Sequence, residues 1–269
     1  MYKLLALDLD GTLLNQENQI STQNISAIKH VIHHHGTVVL CSARPVKAIA
    51  AVIRNTELEH LIRYFISFNG AWIYDAVEKK DILFIPLNRG DVKNAITMLT
   101  ENKFTHHFFT RDNIVSSSSS VSDYTRYESQ LFAMDIVFTE PISITQRDDI
   151  VKVSIVGAAA FINDIADKID AEFHRQYSLS KTSQHYYEIM RQGITKGEAL
   201  HYLSQYLNIG SEFVVSIGDQ ENDISMFKFS AVGVAMGNAS DFVKSCADRV
   251  SQDNNQHGVA FAINQLWPL

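Results

Sequence analysis

The sequence predicts an α/β fold, a parallel sheet with helices on both faces, into which a second domain of α+β type is inserted. Short apolar runs and a change of pattern in the middle of the chain are the observations that predict it. Several runs of four or five residues are largely apolar throughout, at Leu4–Leu7, Thr37–Cys41, Tyr64–Phe68, Phe213–Ile217 and Ala231–Ala235. Such runs, flanked by turn-forming residues, are typical of parallel strands covered by helices on both sides.

Helix-like segments separate the apolar runs. Thr22–His33 and Thr195–Tyr206 both place apolar side chains at helical spacing along one face. Strands that alternate with helices indicate βαβ units, in which a helix crosses over between parallel strands. We therefore expect residues 1–83 and 190–269 to form one Rossmann-like core.

The region between these two parts has a different pattern. A helix candidate at Arg89–Glu101 is followed by short strand-like segments, an amphipathic helix from about Phe161 to Phe173, and a strand candidate near Gln176–Lys181. Runs of strands flanked by helices favour an α+β domain over further βαβ units. We therefore expect residues 84–189 to be an insert with its own sheet.

The charge of the chain argues against one broad class of function. The formal net charge is −7 and the sequence pI is about 5.8, whereas a general nucleic-acid binder needs a basic face. A small phosphorylated substrate is still compatible, because one cation and one lysine can reverse the local field. No apolar run approaches the roughly 20 residues of a membrane span, and the N-terminal run stops at Asp8, far short of a signal peptide. We expect a cytoplasmic protein without membrane or nucleic-acid partners; the sequence does not indicate its oligomeric state.

Two carboxylates follow the first apolar run. Asp8 and Asp10 stand at the end of the predicted strand, where ligands bind in open α/β sheets, and Gly11 lets the chain turn sharply away. The two-residue spacing brings both side chains towards one crevice, and carboxylates this close repel unless a hard cation is shared between them. An ordinary turn rich in Asp and Gly is the alternative for an isolated pair, but the buried strand before it favours a site.

Ser42 and Ala43 follow the second apolar run, and Pro45 then suits the first turn of a helix. The hydroxyl of Ser42 and the backbone N–H of Ala43 are placed to hold a phosphate at the N-terminus of that helix. Taken alone, Ser42 fits a plain helix N-cap equally well.

The second half of the chain supplies a cation and further acids. Lys196 lies at the start of a predicted helix, where the helix dipole disfavours a cation unless an anion is close, although an exposed lysine is the commoner case. Asp219, Asn222 and Asp223 follow the apolar run Phe213–Ile217. A loop of turn formers explains poorly why acids cluster at strand ends twice.

These residues resemble the motifs of the haloacid dehalogenase superfamily of phosphotransferases. The matching segments are Asp8-Leu9-Asp10-Gly11-Thr12, Ser42, Lys196 and Gly218-Asp219 through Asn222-Asp223, in the family's order. The match extends to Phe68-Asn69-Gly70-Ala71, Ala235-Met236-Gly237-Asn238-Ala239 and His257-Gly258-Val259-Ala260. With the position of the insert, the set resembles the Cof-type branch, whose inserted α+β cap is of type IIB. Over the insert the likeness is one of layout more than of residues.

The resemblance implies a magnesium-dependent phosphatase. Asp8 would form an aspartyl-phosphate, with Asp10 as general acid and base. Mg²⁺ would be bound by Asp8, the backbone carbonyl of Asp10 and Asp219, with Asp223 supporting the metal shell. The groups that would hold the phosphate oxygens are the backbone N–H groups of Leu9 and Ala43 and the side chains of Ser42, Lys196 and Asn222.

Ala43 departs from the family pattern, which usually has glycine there. Because a backbone N–H is still present, we expect phosphate binding to survive unless the position requires a positive φ.

Two alternatives to the phosphatase stay open. One is a phosphotransferase resembling the phosphosugar mutases, which passes the phosphoryl group to a sugar hydroxyl. The other is a phosphate-ligand sensor without catalysis, although a pure binder has no need of Asp10. The sequence does not identify the substrate, and sugar phosphates, nucleotides and flavin mononucleotide all fit.

Overall fold

The computed structural model of the chain describes residues 2–165, 168–169 and 171–267. Internal contacts divide it into two compact units. The core unit comprises Met1–Phe84 and Thr195–Leu269, and the inserted unit comprises Ile85–Ile194.

The helices and strands of the described chain are numbered along the sequence. The strands are β1 (Leu4–Asp8), β2 (Thr37–Cys41), β3 (Tyr64–Ser67), β4 (Trp72–Asp75), β5 (Lys80–Phe84), β6 (His106–Phe109), β7 (Asn113–Ser116), β8 (Asp135–Phe138), β9 (Lys152–Val156), β10 (Tyr177–Ser183), β11 (Tyr186–Arg191), β12 (Val214–Gly218), β13 (Val232–Ala235) and β14 (Arg249–Val250). The helices are α1 (Thr22–His33), α2 (Val46–Ile53), α3 (Arg89–Glu101), α4 (Asp123–Phe132), α5 (Pro141–Ile144), α6 (Ala159–Asn163), α7 (Ala171–Gln176), α8 (Lys196–Tyr206), α9 (Ile224–Phe229), α10 (Asp241–Ser245) and α11 (Gly258–Leu266).

The core unit contains an eight-stranded sheet in the order β14-β13-β12-β1-β2-β3-β4-β5. The strands from β14 to β3 are parallel, and β4 and β5 add antiparallel pairings at one edge. These parallel pairings confirm the predicted sheet. Its strands β1 and β12 are buried along their whole length, as their apolar runs indicate. The sequence does not predict β5, which carries charged residues and is nowhere fully buried.

Helices α1 and α8 follow the hydrophobic pattern closely, and a hydroxyl caps each N-terminus. Helix α1 spans the predicted residues, with Ser21 Oγ accepting from the N–H of Asn24 at 3.2 Å. Helix α8 begins one residue later than predicted, because Thr195 is its N-cap and accepts from the N–H of Glu198 at 3.1 Å. This cap fixes Lys196 at the first helical position.

The inserted unit contains a six-stranded sheet in the order β10-β11-β9-β6-β7-β8. All pairings of these strands are antiparallel except that between β7 and β8. Alternate residues, such as Phe108, Val153 and Ile189, pack with α3 in an apolar core. The intervening residues of the same strands include the buried polar side chains of His107 and Lys152. The α+β expectation for this region is confirmed.

The limits of the inserted unit differ slightly from the sequence expectation. The unit ends at Ile194 rather than at residue 189, because β11 continues its sheet by pairing with β9 and β10. The helix expected from Phe161 to Phe173 falls partly on residues 166, 167 and 170, which lie outside the described residues; α6 and α7 flank them. Of the helices in the described chain, none combines the length and the apolar character that crossing a bilayer requires.

Candidate active site

The predicted site residues follow three neighbouring parallel strands of the core unit. Asp8 is the last residue of β1, which lies between β2 and β12 in the sheet. The register pairs Asp8 with Cys41 on β2 and Leu7 with Ile217 on β12, so the three strands end at the same level. The loops that carry Asp10, Ser42 and Asp219 therefore leave the sheet at one edge.

A buried lysine links two of the acids. Lys196 Nζ donates to Asp8 Oδ1 at 2.6 Å and to Asp223 Oδ1 at 2.7 Å. All three side chains are almost completely buried. Burial alone would lower the pKa of Lys196, but the carboxylates of Asp223 and Asp8 outweigh it and raise that pKa above its ordinary value. Lys196 is therefore a fixed positive charge, and the interpretation of it as an exposed lysine is wrong.

The acids of this cluster are short of positive charge. Burial raises the pKa of Asp8 well above its ordinary value; repulsion from Asp223 adds to this, and Lys196 offsets part of it. Burial and the charge of Asp223 also raise the pKa of Asp219, to about 6. Three carboxylates and one ammonium group leave two negative charges uncompensated when all the acids are ionised. The cluster therefore favours the binding of additional positive charge.

The acid cluster suits a hard divalent cation. Asp8, Asp219 and Asp223 each offer a carboxylate oxygen, and these oxygens all lie within 4.8 Å of one another. The donors are carboxylate oxygens, which Mg²⁺ and Ca²⁺ prefer, and two formal charges match the surplus. A divalent metal therefore fits this part of the core unit.

Asp223 has a structural task as well as a charge. Its Oδ2 accepts from the backbone N–H groups of Asp219 at 2.9 Å and Gln220 at 3.0 Å, while its Oδ1 accepts from Lys196. These bonds fix the turn after β12, and with it the position of Asp219. This geometry places Asp223 inside the acid cluster, and its role in supporting a metal shell stays a prediction.

Two residues to which the sequence analysis gives no role hold Asp219. Thr12 Oγ1 donates to Asp219 Oδ1 at 3.0 Å, and Asn238 Nδ2 lies 3.3 Å from Asp219 Oδ2 and donates to the Gly11 carbonyl at 2.8 Å. Gly11 has φ +78°, and a Cβ there would lie 2.3 Å from Asp219 Oδ2. Both Thr12 and Asn238 belong to the quoted motifs, which is the signal that could have identified them.

The predicted phosphate-binding loop follows β2. Ser42 is buried, its N–H donates to the Ile66 carbonyl at 2.8 Å, and its Oγ accepts from the N–H of Arg44 at 3.1 Å. Ala43 is absent from the described residues with positive φ. An alanine at this position is therefore free of left-handed strain.

The remaining predicted phosphate ligands lie at different depths. Leu9 is fully buried. Asn222 is exposed, in a short 3₁₀ segment at Glu221–Asp223, and its Nδ2 donates to Asn69 Oδ1 at 2.9 Å. A role for Asn69 was not predicted, although the residue stands in the family-like segment Phe68-Asn69-Gly70-Ala71.

A strained loop joins these elements. Phe68, Asn69 and Gly70 have φ values of +48°, +54° and +110° in succession, and positive φ is costly for a bulky aromatic residue. The Asn69 N–H donates to the Ser42 carbonyl at 3.0 Å, and a Cβ on Gly70 would lie 2.3 Å from the Thr195 carbonyl. The loop therefore packs between the phosphate-binding loop and the start of α8.

Asp10 lies outside the buried cluster. Its side chain is 53% exposed, and both carboxylate oxygens accept from the Arg44 guanidinium: Nε donates to Oδ2 at 2.8 Å and Nη2 to Oδ1 at 2.5 Å. Asp10 was predicted from the sequence as a functional acid, whereas no function was predicted for Arg44. The position of Arg44 directly after Ala43 is the signal that could have drawn attention to it.

Comparison with known proteins identifies the family. A family model described as haloacid dehalogenase-like hydrolase matches residues 5–263. YxeH of Bacillus subtilis, which carries a provisional phosphatase name, is 30% identical over 267 residues, covering 99% of this chain and 98% of that protein. The 5-amino-6-(5-phospho-D-ribitylamino)uracil phosphatase YcsE of Bacillus subtilis is 29% identical over 271 residues, covering 99% and 96%. The solved structure of the subclass IIB sugar phosphatase BT4131 has the same fold, with a TM-score of 0.81 over 98% of each chain at 21% identity.

We predict that Gly11→Ala weakens metal binding. Gly193 also has a positive φ, +80°, but a Cβ there would meet nothing within 4 Å, so Gly193→Ala is a matched control. Both variants should lose about 1 kcal/mol of stability from the left-handed backbone. Only Gly11→Ala should also displace Asp219, and it should lower Mg²⁺ affinity by at least about 10-fold. Thermal unfolding with increasing Mg²⁺ measures both effects, and equal Mg²⁺ affinity in the two variants would contradict the clash.

We predict that Asp219→Asn stabilises the metal-free protein at pH 7. An acid whose pKa is raised by folding from 3.8 to about 6 destabilises the folded state progressively as the pH rises through that range, and the loss is complete above it. The variant should gain about 1 to 2 kcal/mol at pH 7, and the gain should shrink as the pH falls through 6. Added Mg²⁺ should raise the Tm of the wild type more than that of the variant. Asp135→Asn, at an exposed carboxylate of β8, should show neither effect, and a destabilised Asp219→Asn at pH 7 would contradict the prediction.

Proposed function

Because the chain belongs to the haloacid dehalogenase-like hydrolases, we propose that it is a Mg²⁺-dependent phosphatase that forms an aspartyl-phosphate on Asp8. Its relatives named as phosphatases match it over almost their whole length, and we assign it to the phosphoric monoester hydrolases. The observation that carries the proposal is the buried Lys196 between Asp8 and Asp223, with Asp219 beside them. A cluster that positions one carboxylate against a fixed cation and leaves negative charge to be neutralised suits phosphoryl transfer.

The first half-reaction transfers the phosphoryl group to the protein. Asp8, at the end of a buried strand, attacks phosphorus, and the bond from phosphorus to the leaving oxygen breaks while Asp10 donates a proton to that oxygen. Lys196 fixes the rotation of the Asp8 carboxylate and lowers the charge repulsion between it and the phosphate. Asp8, Asp219 and the Asp10 carbonyl would hold Mg²⁺, which would supply further charge neutralisation when bound.

The second half-reaction releases inorganic phosphate. Water attacks the phosphorus of the aspartyl-phosphate, Asp10 takes a proton from that water, and the bond to Asp8 breaks to restore its carboxylate. The phosphate oxygens would be held by the backbone N–H groups of Leu9 and Ala43 and by the side chains of Ser42, Lys196 and Asn222. The location of these residues after β1, β2 and β12 and at the start of α8 supports this assignment.

We propose a small phosphorylated metabolite as the substrate. The relative YcsE is named for a phosphorylated ribityl compound, and the acidic chain, with a net charge of −7, gives no general attraction for polyanions. The inserted α+β domain would act as the cap of the family. Phosphate release from a panel of ribityl, sugar and nucleoside monophosphates and flavin mononucleotide, with Mg²⁺ present, tests the substrate class. Release of no phosphate from any member would contradict it.

We predict that Asp8→Asn removes turnover and keeps the fold. The amide is a much weaker nucleophile, so phosphate release should fall by at least about 1,000-fold. Acid quenching with a ³²P-labelled phosphomonoester should trap label on the wild type but not on the variant. Circular dichroism and the Tm check that the variant is folded. A folded variant with near wild-type turnover would exclude Asp8 as the nucleophile.

We predict that removal of divalent metal abolishes turnover. With the cation removed by EDTA, the surplus negative charge of the acid cluster should oppose the phosphate dianion, and the rate should fall by at least about 100-fold. Addition of Mg²⁺ in excess of EDTA should restore it. Unchanged turnover in EDTA, with metal content checked by atomic emission, would refute the Mg²⁺ requirement.

A further inference from the structure

Arg44 makes the bidentate contact with Asp10, and the proposed reaction gives it no task. The guanidinium presents two donors to two oxygens of one carboxylate, at 2.8 and 2.5 Å. This geometry fixes the plane of the carboxylate as well as its position, which a single hydrogen bond cannot do. The Asp10 side chain is half exposed, so burial does little to fix it and the contact with Arg44 sets its orientation.

The backbone of Arg44 is held at both of its polar groups. Its N–H donates to Ser42 Oγ at 3.1 Å, and its carbonyl accepts from Ser67 Oγ at 2.7 Å and from the Phe68 N–H at 3.2 Å. Phe68 begins the loop with three positive φ values, whose strain must be offset by the surrounding contacts. The Arg44 side chain is 15% exposed. A guanidinium attached to such a fixed backbone can hold the half-exposed carboxylate of Asp10 in one orientation.

The geometry of this contact suits one of the two half-reactions. Each oxygen of the carboxylate faces one guanidinium donor of Arg44, so the contact holds Asp10 as a hydrogen-bond acceptor. An acceptor in a fixed orientation is what the second half-reaction requires, because Asp10 then takes a proton from water. Its outward lone pairs stay available, because the two donors occupy only one edge of the carboxylate.

We infer that Arg44 is a positioning residue for the second half-reaction, in which it orients the Asp10 carboxylate towards the water that attacks the aspartyl-phosphate. In this step the water oxygen bonds to phosphorus, one water proton moves to Asp10, and the bond between phosphorus and Asp8 breaks. The inference rests on the proposed function of Asp8 and Asp10. It adds that, for a substrate whose leaving group needs no proton from Asp10, loss of Arg44 slows breakdown of the phosphorylated protein and leaves its formation unchanged.

The kinetic signature of this role is specific. When hydrolysis of a covalent intermediate slows, kcat and KM fall by the same factor and kcat/KM is unchanged, because kcat/KM reports only the steps that form the intermediate. p-Nitrophenyl phosphate with Mg²⁺ is a suitable probe, because its leaving group departs without a proton from Asp10. For Arg44→Gln we expect kcat to fall by about 10- to 100-fold, with a burst of p-nitrophenol and acid-stable label on the protein. Arg44→Lys keeps the positive charge but lacks the planar pair of N–H donors, and its kcat should lie between those of Arg44→Gln and the wild type.

Two controls separate positioning from general damage. Arg147 makes a similar bidentate contact with Asp149, at 2.7 and 2.5 Å, in the inserted unit; Arg147→Gln should leave both kcat and KM unchanged. In the Asp10→Asn background, the further change Arg44→Gln should have no effect on the burst or on the rate that follows it, because Arg44 acts through Asp10.

The opposite outcomes overturn the inference. A rise of KM with unchanged kcat would make Arg44 a substrate contact, and an equal effect of Arg44→Gln with and without Asp10 would make it independent of Asp10. A loss of Mg²⁺ affinity or of folding that Arg44→Lys does not relieve would make its role structural. Failure of the proposed function gives a different result: wild type and Asp10→Asn would then show no trapped label, and Asp8→Asn would still turn over.

Discussion

The buried ammonium group of Lys196 is the interaction on which the geometry of the site depends. It lies between Asp8, at the end of β1, and Asp223, in the 3₁₀ segment after β12. It reaches both because Thr195 caps helix α8 one residue earlier. A lysine is buried in this way only when adjacent carboxylates compensate its charge. The parallel sheet provides this, since it brings the ends of β1 and β12 side by side. The fold and the charge cluster therefore stabilise one another.

The acid cluster could be predicted from the sequence, because parallel strands end at one edge of a sheet. Any residue that follows a buried apolar run must lie at that edge, so Asp8, Asp219 and Asp223 could be grouped before their distances were known. The contact between Arg44 and Asp10 could not be predicted from the sequence. It depends on the path of two loops and on the rotamers of long side chains, which leave no periodic pattern in the chain. The same holds for the bond between Asn222 and Asn69, which requires a left-handed backbone.

The limits of prediction in the fold have a similar cause. Fully buried strands such as β1 and β12 leave continuous apolar runs, and they were predicted almost to the residue. The edge strand β5 has neither a continuous apolar run nor a clear alternation of apolar and polar residues, and it begins with Lys80 and Asp81. The composition of this segment therefore did not indicate a strand. The expected end of the inserted unit, at residue 189, falls within β11, because the βα pattern is expected to resume after Glu188, whereas the pairing of β11 with β9 assigns the whole strand to the insert.

The surplus negative charge of the acid cluster also has a consequence for the life of the protein in the cell. A ligand that binds only the folded chain shifts the folding equilibrium by mass action, and a divalent cation held by the buried acids would be such a ligand. On the proposed metal dependence, a scarcity of the free cation would lower the folded population, and more chains would pass through open states that proteases cleave. The abundance of the protein would then follow the supply of the cation, and starvation for the ion would remove the protein as well as silence it.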